Sequence, residues 1–208
     1  YPTTLPDQNK PWLEVDFRSE PRAYLQAVVD HLTPHFRRSG KRLIGTGSEP
    51  WWISLWLDFD RYGREPLMGL TKERGPDPGD LSPTNSDGFQ VWAVGFYNDA
   101  GALRLGEIFA DPCDPAIPSS LTFPEGTASV KFLFTDASPG EVAYLAGGPE
   151  YDAMIDPEGS GSASRPVADR QRREVRLLQL DIAVKDSRAA GDVRGFVSGA
   201  GGGTPRSG

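Results

Sequence analysis

Three tryptophans lie close together in the sequence, at positions 51, 52 and 56. Trp52 and Trp56 share one face of a predicted strand, and Trp51 begins that strand on the other face. Exposed tryptophan rings stack on sugar rings or on a planar cofactor, because each combines a flat apolar surface with one N–H donor. The alternative is that these rings pack in the core, as most large aromatic side chains on strands do. Both interpretations stay open from the sequence.

A run of charged residues follows between positions 63 and 74. Arg64 and Arg74 are suited to hold a carboxylate through a bidentate contact, and Glu65 or Glu73 to act as a general acid or base. We therefore predict Arg64, Glu65 and Arg74 as substrate-binding residues. A solvated hairpin edge with surface ion pairs is the alternative. The pattern assigns no catalytic residue, and it leaves open whether the protein is an enzyme.

A lysine at position 131 interrupts an apolar strand pattern. Lys131 lies beside Leu133, on the strand face opposite Val130 and Phe132. A lysine amine that projects toward a pocket can act as a nucleophile or as a covalent tether for a cofactor. The alternative is a lysine that faces solvent. The predicted cofactor-binding residues are Lys131, Trp52, Trp56 and Trp92.

No metal site is predicted. His31 and His35 have i,i+4 spacing, but Pro34 lies between them and no third ligand is near in the sequence. We interpret them as two surface histidines at the end of a helix. The single cysteine, Cys113, excludes an internal disulfide framework and a cysteine-rich metal site. The sequence contains neither a glycine-rich phosphate loop nor a G-x-S-x-G motif.

The composition limits the classes of partner. The 22 Lys and Arg residues against 29 Asp and Glu residues give the 208-residue chain a net charge of −7. A nucleic-acid-binding surface needs a positive footprint, so we predict no nucleic-acid partner. No apolar run approaches the roughly 20 residues that span a bilayer, so no membrane span is predicted. A small-molecule ligand stays open as a partner, and nothing in the pattern indicates an oligomeric state.

The elements that must position these residues are predicted from periodicity and turn signals. One helix begins near Pro21 and ends near Pro34. The sequence S-P-G-E at 138–141 is a capping box that predicts a short second helix, ending at 147–148. Residues 98–101 predict a hairpin turn, and the basic residues 37–42 predict a loop. Strands are predicted over residues 52–59, 67–72, 89–97, 103–109, 128–135 and 174–185. The predicted fold class is α+β, mainly an antiparallel β-sheet or sandwich with one N-terminal helix and one short helix.

The chain is predicted to contain a single β-rich domain over residues 12–198. An extended lead-in with three prolines precedes it at residues 1–11. The glycine-rich residues 199–208 are predicted to be a disordered tail, because they offer too little apolar surface to offset the entropy of ordering. The first residue is Tyr1 rather than Met, which fits either a cleaved secretion signal or a chosen boundary of the chain.

Three short blocks resemble an uncharacterised family of bacterial exported proteins. They are G-R-E followed by G-L-T-K-E-R at 63–74, W-A-V-G-F-Y-N at 92–98, and F-P-E-G-T followed by V-K at 123–131. The third block is also similar to cytochrome P-460-type domains, in which a lysine is bonded to a c-type haem. The resemblance covers residues 12–186 and implies haem as a cofactor, Lys131 as the residue linked to it, and a periplasmic or secreted location. The C-x-x-C-H motif that attaches such a haem is missing here, so the resemblance implies an incomplete copy without thioether bonds.

Three functions follow from these observations. The first is an exported β-rich domain of a haem-associated, cytochrome-like family, with a ligand pocket lined by aromatic rings. The second is a carbohydrate-binding or carbohydrate-active β-sandwich that uses Trp51, Trp52 and Trp56 with paired carboxylates. The third is a structural or interaction domain without a small-molecule site. A pocket with two or more convergent polar groups would favour either of the first two over the third.

Overall fold

The computed structural model describes residues 1–5, 10–45, 50–54, 70–73, 75–77, 79–82, 89–111, 114–155, 171–189 and 193–198. These residues form two α-helices, α1 (Pro21–Leu32) and α2 (Asp99–Ile108). The strands are β1 (Phe36–Ser39), β2 (Arg42–Gly45), β3 (Trp52–Ile53), β4 (Thr71–Glu73), β5 (Val91–Tyr97), β6 (Ala128–Thr135), β7 (Glu150–Ile155), β8 (Gln171–Lys185) and β9 (Val193–Ser198). Short 3-10 helices cover Pro11–Glu14, Thr33–His35 and Ala143–Leu145.

The strands form a hairpin and one larger, curled antiparallel sheet. The hairpin pairs β1 with β2. The larger sheet has the order β3-β5-β6-β8-β7, with β4 also paired to β5 and β9 to β8. The predicted α+β class with a mainly antiparallel sheet is therefore confirmed. The predicted strands at 89–97, 128–135 and 174–185 correspond to β5, β6 and β8.

One predicted strand was wrong. Residues 103–109 belong to α2, and the preceding residues are not a hairpin turn but the start of this helix. Asn98 is its N-cap: the side-chain oxygen accepts a hydrogen bond from the Gly101 amide at 3.2 Å. Asn98 is fully buried, and its amide group also donates to the Gly126 carbonyl at 2.9 Å. The short helix of the fold is therefore α2.

The capping box at 138–141 forms, but no α-helix follows it. The Glu141 carboxylate accepts hydrogen bonds from the Ser138 amide and hydroxyl at 2.8 and 2.7 Å. The chain then makes a turn and a single 3-10 turn at Ala143–Leu145. The local signal was correct, but the helix predicted from it was wrong.

Two further elements correct the sequence interpretation. The basic residues 37–42, predicted as a loop, form most of the β1–β2 hairpin, whose turn contains Gly40 at a φ of 59°. A positive φ of this size strains residues with a side chain, so glycine suits the turn. The strand β7 was not predicted, and it pairs with β8 from Glu150 opposite Arg176 to Ile155 opposite Gln171.

The chain divides into two compact units. The first unit comprises Tyr1–Ser54, Phe96–Val130 and Ile182–Phe196, and the second comprises Leu55–Gly95, Lys131–Asp181 and Val197–Gly208. The single domain over residues 12–198 stays a prediction. The predicted tail at 199–208 lies outside the described residues. Within the described part of the chain, no helix has both the length and the apolar character needed to cross a bilayer.

The first unit has α1 and α2 as its helices. Three apolar side chains on one face of α1, spaced four residues apart, are buried: Tyr24, Val28 and Leu32. In α2, Gly101 allows the Tyr97 ring to approach, because a Cβ at this glycine would lie 2.3 Å from the Tyr97 Cδ1 atom. The Tyr97 ring stacks in turn on Phe123, with centroids 5.6 Å apart.

The second unit has apolar residues on both sides of its strands. One cluster contains Val91, Ala137, Val142, Leu145 and Leu178, with Leu133 packed against it. In the part of β6 that belongs to this unit, Phe132 and Phe134 are buried while the alternate residues Lys131 and Leu133 are half-buried, as period-2 alternation predicts. The Phe134 ring meets Tyr151 edge-on at 5.3 Å. A hydrogen bond from the Leu70 amide to the Met154 carbonyl links the residue before β4 to β7.

Candidate functional site

The strongest candidate site is an aromatic face in the first unit, which we call the Trp51 face. It consists of Phe36, Trp51, Ile53 and Phe96. The Phe36 ring lies 5.0 Å from Trp51 and 5.3 Å from Phe96, measured between centroids. Ile53 pairs with Phe96 in the sheet, so their side chains project from the same side. The three aromatic residues are half-buried, and Ile53 is 52% exposed. The face therefore presents contiguous apolar surface.

Local structure explains why these residues meet. Phe36 begins β1 directly after the 3-10 turn Thr33–His35. That turn continues from α1, so the end of the helix determines where the ring lies. Phe96 comes from β5 and Ile53 from β3, two strands in antiparallel register. The Trp51 face thus depends on three strands, β1, β3 and β5.

Polar atoms without partners accompany the Trp51 face. The indole Nε1 of Trp51 and the Nδ1 of His35 are shielded from solvent and have no hydrogen-bond partner among the described residues. The two rings are adjacent, with centroids 5.9 Å apart, and His35 is only 6% exposed. A buried polar group without a partner costs about 1–3 kcal/mol.

Trp52 occupies the opposite face of β3. It pairs with Tyr97, and its ring lies 5.7 Å from that of Tyr1. The Tyr1 hydroxyl donates to the Ile53 carbonyl at 3.1 Å. Trp51 and Trp52 therefore serve two different surfaces, as their alternation predicted. Trp56, expected beside Trp52, lies outside the described residues.

Lys131 forms an ion pair in the second unit. Its Nζ lies 2.8 Å from the Glu73 Oε1, and both side chains are partly exposed, at 32% and 22%. Glu73 pairs with Val91 on β5, whereas Trp92 pairs with Lys72. Trp92 is fully buried and lies on the other side of the sheet from Glu73. The structure thus brings Lys131 to Glu73 rather than to Trp92, and haem association through Lys131 stays a prediction.

The remaining predicted site residues are not described. Arg64, Glu65 and Arg74 lie outside the described residues, as does Cys113. Within the described ranges, no group of three or more histidine, cysteine or carboxylate side chains is placed to hold a metal ion.

A buried carboxylate in the first unit forms a second polar centre. Asp186 is fully buried and accepts hydrogen bonds from the Arg188 side chain at both oxygens, at 2.9 and 2.7 Å. The Tyr24 hydroxyl donates to it at 3.1 Å. The Arg188 hydrogen bonds hold the pKa of Asp186 below its ordinary value, and burial raises the pKa of Tyr24. All three groups are engaged with one another, so we assign this network to stability rather than to chemistry.

Sequence reasoning missed most of the Trp51 face. Phe36 was given no role, and Phe96 was assigned only to the strand predicted over residues 89–97. His35 was interpreted as a surface residue, and that interpretation was wrong, since the side chain is buried. The available signal was the position of Trp51 on the other face from Trp52. Its neighbours could not be found, because they are contributed by distant segments.

Comparison with protein-family models, with curated proteins and with solved structures finds no match to this chain. The function must therefore be argued from the geometry of the described residues.

Proposed function

We propose that this protein is a saccharide-binding module and that the Trp51 face is its binding surface. The observation that carries the proposal is a half-buried tryptophan in a contiguous face of aromatic and aliphatic side chains. A sugar ring offers an apolar C–H face that stacks on aromatic rings. The chemistry of the ligand and of the face is therefore complementary.

The composition of the Trp51 face supports this ligand class. Small-molecule sites are lined mainly by apolar and aromatic side chains, with a few polar groups that fix orientation. Phe36, Phe96 and Ile53 provide the apolar lining around the Trp51 ring. No carboxylate belongs to the four residues of the face. We therefore propose binding of the saccharide without its hydrolysis.

The test is a titration with neutral oligosaccharides, for example cello-, xylo-, malto- and chito-oligosaccharides, followed by intrinsic fluorescence and calorimetry. Trp51→Phe keeps an aromatic ring but reduces the stacking area, and we expect at least a several-fold loss of affinity. Trp51→Ala removes the stacking surface, and we expect binding to be lost. The Trp52→Phe variant is the matched control, because Trp52 is the adjacent residue on the opposite face of β3.

The control makes the outcome specific. If Trp52→Phe weakens binding as much as Trp51→Phe, the ligand does not bind where we propose. If no oligosaccharide changes the fluorescence or releases heat, the Trp51 face does not bind saccharides. Circular dichroism of each variant establishes that the fold is retained before affinities are compared.

A further inference from the structure

The chain contains only two histidines, and the structure places them side by side. His31 is in the last turn of α1 and His35 ends the 3-10 turn that follows. Their ring centroids are 5.6 Å apart. Tryptophan rings lie at both ends of the pair: Trp12 is 5.1 Å from His31, and Trp51 is 5.9 Å from His35. The sequence alone suggested that Pro34 would separate the histidines, but the helical path continues through it.

His35 is buried, and one of its ring nitrogens has no partner among the described residues. Its side chain is 94% buried, since only 6% of it is exposed, and its Nδ1 has no hydrogen-bond partner among the described residues. Buried polar atoms are normally satisfied, so this nitrogen requires an explanation. A neutral imidazole nitrogen carries a lone pair and is the most common side-chain ligand for transition metals.

The spacing of the rings fits a shared ion. A zinc ion lies about 2.0–2.1 Å from an imidazole nitrogen, and hence roughly 3.2 Å from the ring centroid. Two centroids 5.6 Å apart are within the roughly 6.4 Å over which two imidazole rings can bind one zinc ion.

We propose that His31 and His35 are the two protein ligands of a Zn²⁺ site in the first unit. Water or a small ligand completes the coordination. This inference depends on the histidine pair and not on the saccharide proposal, so either can fail without the other.

The test uses the whole chain and zinc chloride. Because there are only two histidines, NMR spectra of the imidazole side chains contain two sets of resonances. We expect both sets to shift with saturation at one equivalent of Zn²⁺, and the tryptophan emission to change over the same range. A shift of neither set, or of only one, would overturn the proposal.

Variants identify the ligands. His31→Gln is the main variant, because His31 is only half-buried and its replacement is the more readily tolerated of the two. We expect it to abolish the saturable shift of His35 and the increase in melting temperature that Zn²⁺ produces in the native protein. Asp30→Asn is the matched control for adventitious binding by the neighbouring carboxylate, and it should retain both effects. If His31→Gln binds Zn²⁺ as the native protein does, the site is elsewhere and the proposal is wrong.

Discussion

Asp186 is the residue whose environment most clearly determines how the stability of the protein depends on pH. The carboxylate is fully buried, and the Arg188 side chain binds both of its oxygens. The Arg188 backbone amide donates to it at 2.9 Å, and Tyr24 supplies one more hydrogen bond. The network joins α1 to the end of β8. Because Asp186 is stabilised in its ionised form, its pKa is lowered, and stability depends on its charge.

The Asp186→Asn substitution should therefore destabilise the protein in a pH-dependent way. We expect a loss of about 1.5–3 kcal/mol in the free energy of unfolding at pH 7, the usual range for hydrogen bonds to a charged group. An aspartate in an unfolded chain has a pKa of about 3.9. The folded pKa is lower, so the stabilisation is complete above about pH 4 and is lost as the pH falls toward the folded value.

Urea unfolding of both proteins from pH 7 down to pH 3 measures this difference. The gap between native protein and Asp186→Asn should narrow below about pH 4. Asp30→Asn, at an exposed carboxylate in α1, is the control. We expect it to change the free energy of unfolding only slightly at every pH. A gap that is constant with pH would show that the charge of Asp186 does not contribute.

Asn98 is the second residue with a defined role. It is fully buried, caps α2, and its Oδ1 also accepts from the Ala128 amide at 3.1 Å. We expect Asn98→Ala to lower the free energy of unfolding by about 2 kcal/mol or more, since the loss of a cap costs about 1 kcal/mol and unsatisfied buried groups add to it. Asn98→Asp should not restore stability, although aspartate is a good N-cap, because it cannot donate to Gly126. Restoration by aspartate would mean that capping alone accounts for the effect.

At the scale of elements, α2 depends on a glycine that would ordinarily weaken a helix. Gly101→Ala should raise the helix propensity by up to about 1 kcal/mol. We nevertheless expect a net loss of stability, because the new Cβ would lie 2.3 Å from the Tyr97 ring and 3.0 Å from Thr127, and overpacking costs about 1–3 kcal/mol. Thermal unfolding of the variant and of the native protein measures whether Gly101→Ala lowers or raises the stability.

A double-mutant cycle with Tyr97→Ala tests the cause. If the ring is responsible, Gly101→Ala should cost less, or even stabilise, when Tyr97 is absent. Glu107→Ala, on the exposed side of α2, is the control. We expect it to change the free energy of unfolding by no more than about 0.5 kcal/mol. Equal effects of Gly101→Ala in both backgrounds would contradict the packing explanation.

The same glycine explains why sequence reasoning assigned this segment wrongly. Gly101 and Gly106 reduce the apparent helix propensity of residues 99–108, and the alternation of Leu103 and Leu105 imitates a strand. The deciding contacts are tertiary: Tyr97 requires the glycine, and Asn98 caps the helix. Likewise, β7 carries only two buried side chains, Tyr151 and Ile155, and its pairing with β8 decides its structure. By contrast, β5 and β6 were predicted correctly because their apolar patterns are long and regular.

At the scale of the whole molecule, the antiparallel α+β class could be predicted because it depends only on the kind and order of elements. The candidate site could not be predicted, because the Trp51 face combines residues from β1, β3 and β5. These strands are brought together by the tertiary fold, and no local sequence pattern indicates it. Lys131 illustrates the same point. Its position on the strand face opposite Val130 and Phe132 was predicted, but its partner Glu73 comes from a strand nearly 60 positions earlier in the sequence.

The net charge leads to a prediction that concerns the whole chain. At −7, the protein should be repelled by a nucleic-acid backbone, even though the β1–β2 hairpin includes four basic residues between positions 37 and 42. Long-range repulsion from the whole molecule should exceed the attraction of this one hairpin. We therefore expect no binding of labelled duplex or single-stranded DNA at protein concentrations up to about 100 µM at physiological salt, as measured by fluorescence anisotropy. Binding that weakens with salt and is lost in an Arg37→Ser, Lys41→Ser variant would show that the local charge of the hairpin outweighs the net charge.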